Sequence, residues 1–187
     1  MVCHAETTVR PAARARVLDA DRLPDHIDRL YRAAWALCGS RQDAEDLVQE
    51  TFVRVLKRPR FLRDGNEIGY LLRTLRNTYA SGRRAAARRP SVRELFEDDG
   101  APSGEATASA HEVMQAIASA PAAYRDAVIA VDVLGLSYRE AARSLRTREA
   151  TVTTRLYRGR QHVARELRGE TARVGPQPAA PASTSGS

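Results

Sequence analysis

The segment TREATVTTRLYRGRQ, residues 147–161, carries side chains that suit contact with a nucleic acid. It has five Thr or Tyr hydroxyls and four arginines, and only Ala150, Val152, Leu156 and Gly159 lack a polar tip. Guanidinium and hydroxyl groups bind phosphate oxygens and the edges of bases in the major groove of DNA. Val152 and Leu156 are four residues apart, so a helix here buries one narrow stripe and leaves its other face free.

A short helix precedes this segment and completes a predicted helix-turn-helix. Ser137 and Glu140 form a capping-box pattern that starts a helix ending at Leu145, and the four residues RTRE lead into a second helix over 149–165. The side chains assigned to DNA are Arg148, Thr151, Thr153, Thr154, Arg155, Tyr157, Arg158 and Arg160. Tyr157, Arg158 and the adjacent threonines suit base edges, whereas Arg155 and Arg160 suit phosphates. The alternative is a solvated amphipathic helix.

A second cluster, DAEDLVQE, places four carboxylates on one helix, at Asp43, Glu45, Asp46 and Glu50. Carboxylates can bind a metal ion or act as acid and base. The sequence offers them no histidine partner, glycine-rich phosphate loop or second acidic cluster, and no histidine stands at zinc spacing from a cysteine. We therefore predict neither an enzyme nor a metal or cofactor site. A solvated helix face is the alternative to a binding surface.

The segment from Tyr70 to Pro90 is the most basic part of the chain, with six arginines and no acid. Asn77 can pair bidentately with a base edge, while Arg76, Arg83 and Arg84 can hold phosphates. The alternative is the solvated start of a linker.

The composition agrees with an acidic partner. The formal net charge is +7, the isoelectric point is about 10.1, and Lys57 is the only lysine. Arginine binds phosphate bidentately and stacks on bases, although a GC-rich genome also enriches arginine and alanine. Two cysteines make no disulfide framework, and no apolar run approaches the roughly 18 residues of a membrane span. We expect a cytoplasmic protein without membrane insertion.

The apolar residues recur at helical spacing, so the predicted fold is all-α, with two small helical domains joined by a flexible acidic linker. Helices are expected from Pro24 to Gly39 and over 41–57, 68–79, 121–134, 137–145 and 149–165, and helical spacing also occurs at Val113, Ile117 and Ala120. One broad face of the 41–57 helix is predicted to carry Leu47, Val48, Phe52, Val55 and Leu56. The predicted divisions are a flexible N-terminus at 1–20, a first domain at 21–90, a linker at 91–110, a second domain at 111–168 and a disordered tail at 169–187.

Two longer stretches resemble a known family. The second region of bacterial sigma factors is similar to LYRAAWALCGSRQDAEDLVQETFVRVL together with the later stretch YLLRTLRNTYASGRRAAARRP. Their fourth region resembles APAAYRDAVIAVDVLGLSYREAARSLRTREATVTTRLYRGRQHVARELR. Two regions with a short linker are typical of the extracytoplasmic-function (ECF) subfamily. The chain departs from that pattern at Arg146, where relatives often carry glycine.

The resemblance implies a factor that binds core RNA polymerase and directs it to promoters. The residues it assigns to polymerase are Asp46, Leu47, Gln49, Glu50, Phe52 and Val53. It assigns to the minus-ten element Arg63, Asn66, Arg73, Arg76, Asn77, Arg83 and Arg84. The loop near 63–67 would receive a base flipped from the non-template strand, and the helix-turn-helix would bind the minus-thirty-five element. An anti-sigma factor is a further expected partner.

Two other hypotheses remain open on the sequence. The first is a free-standing helix-turn-helix transcriptional regulator whose N-terminal helices sense a signal or dimerise, and which binds its operator tightly by itself. The second is a helical adaptor whose basic faces meet RNA or acidic proteins. Association with core polymerase separates both from a sigma factor.

Overall fold

A computed structural model describes residues 16–18, 22–57, 61–62, 66–88 and 105–169. The predictions for most of the N-terminus at 1–20, most of the linker at 91–110 and the tail beyond 169 lie outside these residues. The described part contains seven α-helices and one two-residue strand pair. The predicted all-α class is confirmed.

The first three helices follow the sequence prediction closely, except at one end. A 3-10 turn, Pro24–His26, leads into α1, Ile27–Cys38, which ends at Gly39 with a left-handed φ of 79°. Helix α2 spans Arg41–Lys57. Helix α3 spans Glu67–Arg88 and so continues past the predicted end at residue 79. Arginine and alanine are strong helix formers, which explains why the basic segment stays helical.

The last four helices include the predicted helix-turn-helix. Helix α4, Glu105–Ser119, begins inside the segment predicted to be a linker. Helix α5, Ala122–Val128, continues into a π-helical turn, Ile129–Val133, where an ordinary helix was expected. The helix-turn-helix consists of α6, Tyr138–Leu145, and α7, Glu149–Leu167. Ser137 and Glu140 form the complete capping box that the sequence predicts, and its hydrogen bonds lower the pKa of Glu140.

A short strand pair ties the start of the described chain to the loop before α3. Strand β1, Arg16–Val17, pairs antiparallel with β2, Phe61–Leu62. The next residue, Leu18, is buried and joins the hydrophobic core. The sequence predicts neither the strand pairing nor the burial of Leu18, because two residues are too few to show an alternating pattern.

The helices of both predicted domains share one hydrophobic core. We call α1–α3 the N-terminal half and α4–α7 the C-terminal half. Helix α1 packs on α2 and also on α4, while α3 packs on α6. Fully buried members of the core are Leu30, Leu37, Leu71, Leu72, Leu75, Ile129, Leu134, Val152 and Leu156. The two halves therefore lie against each other, which the sequence did not predict.

The turn of the helix-turn-helix depends on a strained residue. Arg146 follows α6 with φ 53° and ψ 50°, in the left-handed region that costs a non-glycine residue about 1–2 kcal/mol. We expect Arg146→Gly to raise the free energy of unfolding by about 0.5–1 kcal/mol, since glycine also loses more entropy on folding. Urea denaturation measures the change.

The same substitution at a right-handed position is the control for Arg146. Arg84 is exposed on α3, and Arg84→Gly is expected to lower stability by up to about 1 kcal/mol through helix propensity. A loss of stability in Arg146→Gly equal to that in Arg84→Gly would contradict strain in the turn.

Gly159 allows α7 to approach α5 closely. A Cβ at this buried position would lie 2.6 Å from Val128 Cγ2 and 3.0 Å from the carbonyl oxygen of Tyr124. We expect Gly159→Ala to destabilise the chain by about 1–3 kcal/mol, because overpacking exceeds the gain in helix propensity. Gly82 on α3 is the matched control, since nothing lies within 4 Å of its Cβ position. Gly82→Ala should stabilise by up to about 1 kcal/mol; equal thermal shifts for both variants would contradict the close approach.

Candidate nucleic-acid interface

The outer face of α7 is open to solvent, as the sequence predicts. Its exposed residues recur at steps of three and four and comprise Ala150, Thr153, Thr154, Tyr157, Arg158 and Gln161. Tyr157 is the most prominent, with 63% of its surface exposed. Thr151 and Arg155 are half-buried at the edges of this face, and Arg148 is exposed at the residue before α7. Val152 and Leu156 are buried on the opposite side.

The threonines of this face have a defined orientation. The hydroxyl of Thr153 donates to the carbonyl of Glu149 and that of Thr154 to the carbonyl of Ala150, both at 3.1 Å. Each hydroxyl oxygen keeps acceptor capacity, and each side chain keeps a methyl group. Such groups can accept from a base amino group or contact the methyl of thymine.

Two arginines of α7 are held by side chains that the sequence does not identify as their partners. Arg158 Nη1 donates to the hydroxyl of Tyr124 at 3.0 Å, and this bond raises the pKa of the guanidinium. Arg160 makes two hydrogen bonds to Asp132, of 3.0 and 2.6 Å, and Asp132 raises its pKa. Arg158 is thereby positioned on the open face. Arg160, expected to be available to phosphate, is paired with a carboxylate.

The side chains assigned to the minus-ten element divide into two groups on α3. Arg63 lies outside the described residues. Asn66 caps the helix, since its Oδ1 accepts from the backbone N–H of Gly69 at 2.7 Å. Arg73 Nη2 donates to the carbonyl of Arg143 at 2.9 Å, and Arg76 pairs with Asp126. Arg73 and Arg76 therefore face the C-terminal half.

The second group on α3 is open to solvent. Asn77, Arg83 and Arg84 are exposed. The Arg83 guanidinium lies 5.9 Å from the centre of the Tyr79 ring, and Arg84 donates to Ser81 Oγ at 3.2 Å. This part of the predicted minus-ten surface is accessible in the present conformation.

Glu67, the first residue of α3, is a buried carboxylate beside a histidine and an arginine. Its Oε2 lies 3.2 Å from His26 Nε2 and its Oε1 lies 3.5 Å from Arg22 Nη1. These contacts fix the start of α3. The sequence identifies Glu67 only as the end of the segment near 63–67, because His26 and Arg22 are distant from it along the chain.

Helix α2 presents a stripe that combines acidic, amide and apolar groups. Asp46, Gln49, Glu50 and Val53 are exposed at positions i, i+3, i+4 and i+7, so they share one face. We call these four residues the α2 stripe. Glu50 also accepts a hydrogen bond of 2.6 Å from Arg54.

Three apolar residues of α2 refine the predicted docking patch. Leu47 is only 7% exposed and belongs to the core, so it supports the α2 stripe from beneath. Phe52 is half-buried against the core. Leu56 is 55% exposed, although Leu47, Val48 and Val55 of the same predicted face are buried. It lies ten residues from Asp46, close to three helical turns, and so extends the α2 stripe.

The described residues show neither a metal-binding cluster nor a membrane-spanning helix. Within them, His, Cys, Asp and Glu residues form no group of three that could hold a metal ion. None of the described helices is both long and apolar enough to cross a membrane.

Family comparisons match both halves of the chain. Residues 25–89 match sigma-70 region 2, and residues 110–163 match sigma-70 region 4. Together the two matches cover more than half of the sequence. Their order and separation are those that the resemblance predicts.

Individual relatives agree with these matches. The ECF RNA polymerase sigma factor SigE of Mycolicibacterium smegmatis is 34% identical over 146 residues, which cover 74% of this chain and 57% of SigE. The chain thus spans little more than half the length of that relative. The fold is similar to that of the sigma factor RpoE in its complex with the anti-sigma factor NepR from Bartonella quintana, with a TM-score of 0.59, 22% identity, and coverage of 80% of this chain and 98% of that one. It is also similar to CnrH in complex with the cytosolic domain of CnrY, with a TM-score of 0.56, 21% identity, and coverage of 80% and 87%.

Proposed function

The chain belongs to the ECF group of sigma-70 factors, and we propose that it binds core RNA polymerase and directs the enzyme to a specific set of promoters. The observation that carries the proposal is the pairing of a region 2 match with a region 4 match whose recognition helix exposes one continuous polar face. The chain contributes binding and positioning, and catalysis belongs to the polymerase.

The α2 stripe is the proposed polymerase-docking surface. Three exposed polar side chains precede an exposed valine along the stripe, while Leu47 and Phe52 hold the helix from beneath. Apolar side chains bordered by charged ones are a common composition for a protein interface. The charges of Asp46 and Glu50 select a basic partner surface and speed the encounter.

The two basic faces are the proposed promoter contacts. On α3, Asn77 suits a base edge, and the exposed arginines suit the phosphates of the minus-ten strand. On α7, Thr154, Tyr157 and Arg158 suit the major groove of the minus-thirty-five element. Base flipping into the loop at 63–67 costs a few kcal/mol, so strand capture and the polymerase drive melting together.

We also propose that the chain has an anti-sigma factor as a partner and acts in the cytoplasm. Both solved relatives are complexes with an anti-sigma factor or with the cytosolic domain of a partner protein, which supports an anti-sigma factor for this chain. Core polymerase and bacterial promoters are cytoplasmic, so we place the action of the chain in the cytoplasm. A free-standing regulator would not require the region 2 match or the α2 stripe.

Co-elution with core RNA polymerase tests the docking step. The full chain is mixed with purified core enzyme at a molar excess and passed over a size-exclusion column. We expect part of the chain to elute with the polymerase at a fixed stoichiometry. Complete separation of the two proteins at low salt would overturn the proposal and favour a regulator that acts alone.

A further inference from the structure

A tyrosine of α5 contacts the guanidinium of Arg158 on the open face of α7. Arg158 Nη1 donates to the hydroxyl of Tyr124 at 3.0 Å, and Arg158 Cζ lies 6.0 Å from the centre of the same ring. Tyr124 is half-buried, whereas Arg158 is exposed. The ring and the hydroxyl of Tyr124 therefore hold an exposed cation in one direction.

Close packing between α5 and α7 places Tyr124 beside Arg158. Gly159 directly follows Arg158, and a Cβ at Gly159 would lie 3.0 Å from the carbonyl oxygen of Tyr124. The backbone N–H of Tyr124 donates to the carbonyl of Pro121 at 2.8 Å, where α5 begins. The first turn of α5 is thus fixed against α7 at the residue next to Arg158.

We propose that Tyr124 is a positioning residue for promoter recognition, which directs the Arg158 guanidinium toward a single base pair of the minus-thirty-five element. The inference rests on the proposed function, since it assumes that α7 lies in the major groove of that element. Tyr124 belongs to α5, which precedes the helix-turn-helix. The sequence that α7 reads then depends on a hydroxyl that acts through Arg158 rather than on the DNA.

The chemistry of the Tyr124 hydroxyl suits this role. The hydroxyl is a neutral acceptor, so Arg158 keeps its positive charge for the approach to DNA. A guanidinium has five N–H groups, and the bond to Tyr124 engages one of those on Nη1. The edge formed by Nε and Nη2 stays available for the paired acceptors of a base.

Orientation of Arg158 before DNA binds favours both affinity and selectivity. An exposed arginine samples many rotamers, and ordering such a side chain at an interface costs free energy. The bond to Tyr124 restricts those rotamers in the free chain. It also disfavours orientations in which the guanidinium would reach a neighbouring base pair or a phosphate. Loss of the hydroxyl should therefore affect one position of the element more than the others.

The test measures promoter preference in Tyr124→Phe, which removes the hydroxyl and keeps the ring. Full-length variants are reconstituted with core RNA polymerase on promoters that differ at single base pairs of the minus-thirty-five element. Arg158→Ala identifies the base pair that Arg158 reads. Tyr31→Phe is the matched control, because it removes the hydroxyl of a half-buried tyrosine on α1. Discrimination is the ratio of transcripts from two promoters with one protein, so a change in the folded fraction cancels.

The positioning role predicts a local loss of discrimination. Tyr124→Phe is expected to lower discrimination about two- to ten-fold at the base pair read by Arg158, the range for one hydrogen bond, and to leave the other positions unchanged. In the Arg158→Ala background, Tyr124→Phe should change nothing further, because the side chain that it orients is absent. Tyr31→Phe should retain wild-type discrimination at every position.

The outcomes separate the positioning role from the proposed function. Wild-type discrimination in Tyr124→Phe, or an equal loss at every base pair, would overturn the positioning role even if transcription depends on the chain. A loss of the same size with and without Arg158 would also overturn it, as would unchanged preference in Arg158→Ala. A wild-type chain that yields no transcripts beyond those of core enzyme overturns the proposed function, and with it the inference that rests on it.

Discussion

Replacing Asp46 by arginine is expected to weaken binding to core RNA polymerase by about 2–5 kcal/mol, enough to remove the complex at micromolar concentrations. Asp46 is exposed on the α2 stripe beside Gln49 and Glu50. A reversed charge at this position loses its attraction to a basic partner and places two like charges together in a desolvated contact. Binding of the labelled chain to immobilised core enzyme measures the affinity.

Glu112→Arg is the control for this prediction, because it reverses one exposed charge on α4, away from the α2 stripe. It should retain wild-type affinity for the polymerase. Phe52→Ala also weakens docking, but Phe52 packs against the core, so its truncation lowers stability as well. Equal affinities of Asp46→Arg and Glu112→Arg would remove the α2 stripe as the docking surface.

Arg158→Ala is expected to cost about 1–3 kcal/mol at one base pair of the minus-thirty-five element and to relax sequence preference there. The guanidinium stands on the open face of α7 and is steadied by the hydroxyl of Tyr124. Transcription by reconstituted holoenzyme, on promoters that differ only in this element, measures the preference. The variant should discriminate less at one position and normally at the others.

Arg160→Ala is the companion to Arg158→Ala. Arg160 is a proposed phosphate contact, and its guanidinium is paired with Asp132. Its loss would remove the proposed contact and leave the Asp132 carboxylate without this partner. We expect weaker binding on every promoter and a salt slope smaller by about one. Uniform losses of the same size for both variants on all promoters would contradict the division between base and phosphate contacts.

Local signals in the sequence predicted much of the fold. Helix α2 was placed over 41–57 because a capping serine precedes it and Pro59 follows it, and the structure gives the same bounds. The capping box at Ser137 and the spacing of Val152 and Leu156 likewise determined the helix-turn-helix and its outer face. Each of these signals depends on residues within one or two helical turns.

The features that the sequence did not predict are pairings between distant segments. Two ion pairs between different helices illustrate this, Arg76 with Asp126 and Arg160 with Asp132. A single sequence shows no periodicity that connects such residues. The exposure of Leu56 has the same origin, since an apolar residue near a helix end can face either the core or a partner surface. For this reason the sequence identifies the charged side chains but not the residues with which they pair in the structure.

The most direct test of the account is run-off transcription by core RNA polymerase with and without the full chain. The templates are linear DNAs randomised over the minus-ten and minus-thirty-five elements, and the transcribed templates are sequenced. We predict transcripts that depend on the chain and that are enriched for one sequence block in each element. Output equal to that of core enzyme alone, or transcripts without enrichment in either element, would contradict the assignment as a promoter-specificity factor.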